Sequence, residues 1–260
     1  MDADNLDANL RQAMRVFSRA SDRGEFRHYP GITVISSGFD YCAFNPALLT
    51  AAVESELEFS RRLAIPETHY QERGLHWSLW IREDLLQGRI RSTSRLLLER
   101  RGYRLLIEPP GMATYGLSPP VRSLPPVECR QVREEADRYG FAHILSVCFE
   151  IASPVARAIY GSQSYWSEGI TGWLGYVNGN PVTAALVVET ENSIGLYSVA
   201  TLPGHQRQGY CEALVRHALE ECRRRTGIEF MVLQATRQGY SLYERMGFRT
   251  LTRYRVYLAP

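Results

Sequence analysis

The sequence predicts an α/β protein in two parts, and three observations support this prediction. Along the 260 residues, segments with apolar residues at helical spacing alternate with short apolar runs that are typical of strands. The region between Glu108 and Val127 contains three proline pairs, six of the chain's 13 prolines, and such pairs favour a stiff, extended connection. A hydrophobic content of 45% with 22% charged residues is typical of a globular protein. We therefore predict two domains, residues 1–122 and residues 123–260.

The first domain opens with an amphipathic segment. Its apolar residues Leu6, Leu10 and Met14 recur at helical spacing, which predicts a helix. The elements predicted after it are, in order, strands over 32–35 and 41–44, a helix over about 48–63, a strand over 77–81, a helix ending at Gly102 and a strand over 103–107.

The second domain has the clearer pattern. Asn178-Gly179 separates two apolar runs and predicts a tight hairpin turn, because both turn positions favour residues that tolerate positive φ. Gly227 follows a long helical stretch and suits the left-handed position that ends a helix. The predicted elements are, in order, a strand over 127–132, a helical region over 134–159, strands over 173–177, 182–188 and 194–201, a helix over 209–225, a strand over 230–233, a helix over 240–246 and a strand over 250–258.

The charged residues exclude several classes of chemistry. All 30 basic residues are arginine, so a lysine-containing phosphate loop, a Schiff base and a kinase-type lysine are all excluded. The 28 acidic residues leave a net charge of +2. This balance gives no electrostatic reason to expect a nucleic-acid or membrane partner.

Cysteine spacing and the N-terminal sequence bear on metals and on location. The five cysteines are scattered and form no Cys-x-x-Cys pair, so we expect neither a disulfide framework nor a metal site. The acidic start at Met1–Asp4 has no apolar segment like that of a signal peptide, and no apolar run approaches the length of a membrane span. We expect a cytoplasmic protein.

The most informative segment joins the strand over 194–201 to the helix that begins near Gly209. A polar loop connects them, and the unpaired backbone N–H groups at a helix start form an anion site that needs no lysine. An ordinary connection between a strand and a helix is the alternative interpretation. A second motif follows at Tyr243-Glu244-Arg245-Met246-Gly247-Phe248, where a short helix presents Tyr243, with a packed core aromatic as the alternative.

Together these two motifs resemble those of the GNAT superfamily of acyl-CoA-dependent N-acetyltransferases. The family signature Gln/Arg-x-x-Gly-x-Gly/Ala appears as Gln206-Arg207-Gln208-Gly209-Tyr210-Cys211, and the closing Tyr-Glu-x-x-Gly-Phe is intact at 243–248. The resemblance covers essentially all of 127–260 and implies a GNAT fold, a mixed central sheet flanked by helices. The order of elements in the first domain is similar to the N-terminal half of two-module GNAT proteins, so we expect a tandem arrangement in which residues 1–122 form a degenerate GNAT-like domain without the CoA signature.

The resemblance also implies an activity and a set of site residues. It implies acetyl-CoA as co-substrate, no metal, and direct acetyl transfer to the amine of a small molecule or peptide, with homodimer formation left open. Tyr243 is the implied acid for the departing CoA thiolate. The implied CoA-binding residues are Val199, Ala200 and Thr201 on the central strand, and Gln206, Arg207, Gln208, Gly209, Tyr210, Cys211 and Glu212 at the phosphate loop.

The sequence departs from the family pattern at two positions. Cys211 replaces the last small residue of the signature, and Gly195 stands where many members carry the glutamate that acts as general base. The base is therefore left open among Glu189, Glu191, His143, Glu150 and a chain of water molecules. The missing carboxylate also leaves a rival interpretation, a non-catalytic acyl-CoA-binding regulator. A nucleotide-binding α/β protein is disfavoured, because no Gly-x-Gly-x-x-Gly follows a strand.

Overall fold

The computed structural model describes residues 2–260, which form seven α-helices and twelve β-strands. The helices are α1 (Asp2–Arg15), α2 (Glu56–Gln71), α3 (Ile90–Arg100), α4 (Glu135–Cys148), α5 (Ser153–Tyr160), α6 (Tyr210–Thr226) and α7 (Tyr240–Arg245). The strands are β1 (Glu25–Tyr29), β2 (Ile32–Ser36), β3 (Pro46–Leu49), β4 (Ser78–Arg82), β5 (Arg104–Ile107), β6 (Pro110–Thr114), β7 (Glu128–Gln131), β8 (Ile170–Val177), β9 (Asn180–Glu189), β10 (Ile194–Thr201), β11 (Met231–Gln234) and β12 (Arg249–Leu258).

The chain divides into two compact units that do not follow its linear order. Unit 1 comprises the chain up to Val16 together with Met112–Leu251, and unit 2 comprises Phe17–Gly111 together with Thr252–Pro260. The sequence predicts one division between residues 122 and 123, and the structure differs from it at both ends of the chain. The reason is packing: α1 contacts β9, β10 and β11 of unit 1, and most of β12 pairs with β4 and β5 of unit 2.

Unit 1 contains a mixed sheet flanked by helices, as the sequence predicts. Strands β7, β8, β9 and β10 are antiparallel neighbours, and β11 joins β10 in parallel. Ile194 and Leu196 of β10 pack in one core with Leu214 of α6. The alternate residue Gly195 lies on the opposite face, against Asn9 of α1. Helices therefore cover both faces of this sheet at β10.

Two predicted chain reversals are confirmed in unit 1. Asn178 and Gly179 have φ values of 51° and 79° between β8 and β9, the mirror-image turn that suits the twist of a hairpin. Gly227 ends α6 at φ 75°, and its N–H donates to the carbonyl of Arg223 at 2.8 Å. Three arginines occupy the last turn of α6, where positive charge suits the helix dipole.

Unit 2 has its own mixed sheet. Its strands lie in the order β1, β2, β3, β4 and β12, with β3 and β4 parallel and the other neighbouring pairs antiparallel. Tyr70 of α2 stacks on Trp77 at 5.0 Å between ring centroids in the core of this unit. The separate hydrophobic cluster around these rings explains why this part of the chain forms a compact unit.

Two elements predicted for unit 2 are wrong. Residues 41–44 form no strand, because the Asn45 side chain fixes a loop there: its Oδ1 accepts from the Ser37 N–H at 2.9 Å and its Nδ2 donates to the Phe39 carbonyl at 2.8 Å. The helix predicted from residue 48 begins only at Glu56, where the Ser55 side chain caps it. Leu48 and Leu49 belong instead to β3.

Candidate active site

The central feature of unit 1 is the place where the pairing of β10 with β11 ends, which we call the cleft. The two strands pair in parallel over three positions only, Ile194 to Leu196 with Met231 to Leu233. Beyond this point β10 continues to Thr201, whereas β11 ends one residue later at Gln234. Among the described residues, no strand therefore pairs with the second half of β10 on the β11 side, and such an edge can bind an extended ligand through its backbone.

A β-bulge lies in β10 at the mouth of this cleft. The register with β9 shifts between Tyr197 and Ala200, and Ser198 has φ 48°. Ser198 and Val199 thus lie outside the paired register with β9. A bulge reorients the backbone groups of a strand, so this one changes which N–H and carbonyl groups of β10 face the cleft.

The three predicted residues of β10 are not equivalent in the structure. The Ala200 carbonyl accepts from Thr183 Oγ1 at 2.8 Å, so it is directed toward β9. The Thr201 carbonyl accepts from Gln206 Nε2 at 3.0 Å. Because Leu202 N–H donates to β9 at Val182, the N–H of Thr201 points to the other side, toward the cleft. On that side the Thr201 N–H already faces the Cys148 thiol of α4, so Val199 is the residue of this edge best placed to meet a ligand.

The phosphate loop is the turn between the end of β10 and the start of α6. Its backbone is strained, and two of its own glutamines hydrogen-bond across it. Arg207 and Gly209 have φ values of 62° and 92°, and a β-carbon on Gly209 would lie 2.9 Å from Pro125 Cδ. The Gln208 side chain donates to the Gly204 carbonyl at 3.1 Å, as Gln206 does to Thr201. These two side chains hold the loop in shape, so they position the site rather than provide charge.

The N-terminus of α6 is open to an anion. Gly209 provides no side-chain cap, and the first backbone N–H groups of a helix, here those of Tyr210, Cys211 and Glu212, have no partner within the helix. The Glu212 carboxylate is engaged elsewhere, because it accepts from Arg216 Nε at 2.9 Å, and Arg216 also donates to the Ser118 carbonyl at 2.6 Å. Only the backbone of Glu212 remains for a ligand.

Tyr243 and Cys211 come together although they lie 32 positions apart in the sequence. Both pack in the hydrophobic core on the α6 side of the sheet. Burial, and secondarily the nearby Cys211 sulfur, raise the pKa of the Tyr243 hydroxyl well above its usual range. Burial likewise raises the pKa of the Cys211 thiol to about 11. The tyrosine therefore keeps its proton at neutral pH and the cysteine is an uncharged packing residue.

Asn9, near the start of the sequence, fills the space beside Gly195, where the sequence lacks the carboxylate that many GNAT members carry. A β-carbon on Gly195 would lie 1.8 Å from Asn9 Oδ1, so only glycine fits there. Asn9 is fully buried, its Nδ2 donates to the carbonyls of Val188 and Ser193 at 3.1 Å each, and its Oδ1 accepts from the Tyr197 hydroxyl at 2.8 Å. Burial, and secondarily the Asp7 carboxylate, raise the pKa of Tyr197.

Asn9 is not among the residues predicted from the sequence, although a signal for it is present there. Asn9 lies among Leu6, Leu10 and Ala13 on the buried face of an amphipathic helix, and a polar residue at such a position needs internal hydrogen-bond partners. That signal marks a buried polar contact. It does not identify the strand that provides the partners.

Of the residues predicted as possible general bases, one is ion-paired and the other three are exposed. The Glu189 carboxylate forms an ion pair with Arg225, and Glu191, His143 and Glu150 are exposed. Residues 2–260 contain no group of three or more His, Cys, Asp or Glu side chains that could hold a metal ion. Within the same residues, no helix combines the length and apolar character that crossing a bilayer requires.

A comparison with known protein families identifies the family to which this part of the chain is similar. Residues 138–248 match the model of the Acetyltransferase (GNAT) family, and this range includes β10, the phosphate loop and Tyr243. No functionally curated sequence matches the chain. The match assigns this part of the chain, residues 138–248, to the GNAT family of acetyltransferases.

Solved structures show the same fold over nearly the whole chain. A GCN5-related N-acetyltransferase from Kribbella flavida superimposes with a TM-score of 0.70 at 17% identity, covering 96% of this chain and 95% of that one. A functionally unknown conserved protein from Staphylococcus epidermidis gives 0.63 at 12% identity, covering 92% and 95%. A GCN5-related N-acetyltransferase from Sphaerobacter thermophilus gives 0.61 at 19% identity, covering 88% and 78%.

Proposed function

We propose that the chain transfers an acetyl group from acetyl-CoA directly to the amine of a small molecule or peptide, in the cleft between β10 and β11. The observation that carries this proposal is the parting of these strands beside the uncapped start of α6. An unpaired strand edge suits the extended pantetheine arm, and uncapped helix N–H groups suit the diphosphate. When bound, acetyl-CoA supplies an activated acetyl thioester.

The backbone and one side chain provide the binding groups. The backbone at Val199 presents the open edge of β10, and the N–H groups of residues 210–212 face the anion. Arg207 is exposed, and its guanidinium has no hydrogen-bond or ion-pair partner in the described part of the chain. It can therefore add positive charge to a phosphate contact without first breaking an ion pair.

Tyr243 stabilises the departing sulfur by donating a hydrogen bond. A thiol has an ordinary pKa of about 8.5, whereas burial holds the pKa of Tyr243 far above that value. The hydroxyl therefore keeps its proton while it donates to the developing thiolate. A backbone N–H at the bulge near Val199 would polarise the thioester carbonyl, which is the role of an oxyanion donor.

The amine enters the cleft neutral and releases its proton to water. This assignment rests on the place of Asn9, which occupies the space beside Gly195 with an uncharged amide, and on the ion pairing of Glu189 with Arg225. The pH dependence of the rate then reflects the amine itself rather than a carboxylate of the protein.

Ligand binding and thiol release test the proposed activity in sequence. Acetyl-CoA and CoA should each raise the melting temperature, since a ligand at about 100 times its Kd stabilises by about 2.7 kcal/mol. A thiol-release assay over amino acids, polyamines, aminoglycosides and peptides then identifies the acceptor. A melting temperature unmoved by either CoA form would overturn the proposal. Binding without thiol release from any amine would favour the acyl-CoA-binding regulator.

Replacing Tyr243 by phenylalanine tests the hydrogen bond to sulfur. We expect Tyr243→Phe to lower kcat by about 10²–10³-fold, the range typical of removing one hydrogen-bond donor to a developing charge, with little change in the Kd of CoA. Tyr240→Phe is the matched control, because Tyr240 starts the same helix and packs against the same core. Equal kcat values for the two variants would contradict the role of Tyr243.

A further inference from the structure

The side chain of Gln234 lies at the point where the cleft begins. Gln234 is the last residue of β11, one position after the last pair between Leu196 and Leu233. Met231 and Leu233 pack on the α6 side, so the alternation of a strand directs Gln234 to the opposite face. Extending the register by one residue places it beside Tyr197.

The carboxamide of Gln234 is buried without any hydrogen bond. Both its Nε2 and its Oε1 are shielded from solvent and have no partner, and among the described residues no other side chain has both ends of an amide in this state. A carboxamide carries two donors and an acceptor, and burying them unpaired costs free energy. The amide of Asn9, on the same side of the sheet, is by contrast fully engaged with Val188, Ser193 and Tyr197.

The chemistry of this unpaired group defines what it can bind. It is uncharged and buried, so it does not suit a phosphate or a carboxylate. A ligand with both an N–H donor and a carbonyl acceptor in an extended chain would satisfy both ends. The pantetheine arm of CoA has two amides and, when acetylated, a thioester carbonyl.

We propose that Gln234 holds the pantetheine arm of CoA, with Nε2 donating to a carbonyl and Oε1 accepting from an N–H of the arm. This inference rests on the proposed function, because it assigns a binding residue within the same cleft. In the absence of CoA the unpaired amide lowers the stability of the protein. Gln234 thus contributes to ligand binding but lowers the free energy of unfolding of the free protein.

Gln234→Met separates these two effects, because methionine has a similar length and no polar group that must be paired. We expect a higher melting temperature for the free variant and a Kd for CoA weakened by about 10-fold or more, the loss of two neutral hydrogen bonds. Calorimetry with 3′-phosphoadenosine 5′-diphosphate, the nucleotide part of CoA, should give an unchanged Kd. The control is Gln131→Met. Gln131 lies on β7, its side chain accepts a hydrogen bond from Arg133, and its replacement should leave the Kd of CoA unchanged.

The outcomes distinguish this inference from the proposed function. A lower melting temperature with an unchanged Kd for CoA would show a structural amide and overturn the inference. An unchanged Kd for CoA with a raised KM for the amine would assign Gln234 to the acceptor and overturn it as well. If the wild-type protein bound neither CoA nor its nucleotide part, the proposed function itself would fail.

Discussion

Tyr243 shows how burial determines what a residue can do in the proposed reaction. Its pKa lies well above the usual tyrosine value because the hydroxyl is desolvated in the core of unit 1. A group with a raised pKa keeps its proton as the pH rises, so the hydrogen-bond donor is present throughout neutral and moderately alkaline conditions. The ordinary tyrosine pKa of about 10 would have implied its loss near that pH.

The pH profile of the reaction tests this property. We expect kcat/KM to rise with pH as the acceptor amine loses its proton, and to show no decline up to about pH 10. The measurement is initial rates of thiol release across this range, for the wild type and for Tyr243→Phe. A declining limb that appears in the wild type and is absent from Tyr243→Phe would show that Tyr243 titrates at an ordinary pKa.

Gly195 and Asn9 form a complementary pair at the position of the missing carboxylate. The glycine leaves the space, and the asparagine amide fills it while satisfying carbonyls of β9 and of the β9–β10 turn. A larger residue at 195 would clash with Asn9. The absence of a glutamate there thus has a structural cause, which the sequence of residues 123–260 does not contain.

At the scale of elements, α1 is part of unit 1 although about a hundred residues separate it from β7. Its buried side chains include Leu6, Leu10 and Met14, and fully burying such a side chain stabilises by about 1.5–3 kcal/mol. Together the three contribute about 4.5–9 kcal/mol of gross burial, before the entropy cost of ordering the helix is subtracted. The hydrogen bonds of Asn9 add to this.

Removal of α1 should therefore disrupt the fold of unit 1. We expect residues 17–260 to lose cooperative thermal unfolding of the unit and to lose CoA-dependent stabilisation, as measured by calorimetry with and without CoA. The full-length Asn9→Ala variant is a milder change in the same helix. It should keep a cooperative unfolding transition, at a lower temperature than the wild type. A truncated protein that melted like the full-length chain would contradict this role for α1.

A helix or strand is predicted accurately from the sequence when the residues that determine it are local. The strand over 194–201 and the helix ending before Gly227 match β10 and α6 closely, because their apolar periods and end residues are local. The strand predicted over 41–44 is wrong because Asn45 bonds to distant backbone groups, including the His76 carbonyl at 2.9 Å. Gln234 could not be identified, since its significance depends on having no partner in three dimensions.

At the scale of the whole molecule, the linear sequence does not reveal how the two units are composed. Amphipathic periodicity showed that α1 has a buried face, but it could not identify β10 as the surface that α1 covers. The proline-rich region is a clear local signal, and the break between the units at Gly111 and Met112 falls within it. The contributions of the first and last segments to opposite units arise from long-range packing alone.

The absence of lysine becomes a chemical property of the whole protein once acetyl-CoA is its proposed co-substrate. Arginine stays protonated at any working pH and is no nucleophile. Burial raises the pKa of all five cysteine thiols, to about 11 for Cys129 and Cys211 and about 12 for Cys222. A raised thiol pKa leaves very little thiolate near neutral pH, and the thiolate is the reactive form.

The protein should therefore resist acetylation by its own co-substrate. We expect intact-mass spectrometry after prolonged incubation with acetyl-CoA near neutral pH to show no added acetyl group beyond the N-terminal amine. Arg91→Lys, at an exposed position of α3, introduces one reactive amine and should gain one acetyl group under the same conditions. An acetylated arginine or cysteine in the wild-type protein would contradict the prediction, and an unmodified Arg91→Lys variant would show that missing lysines are not the cause of the resistance.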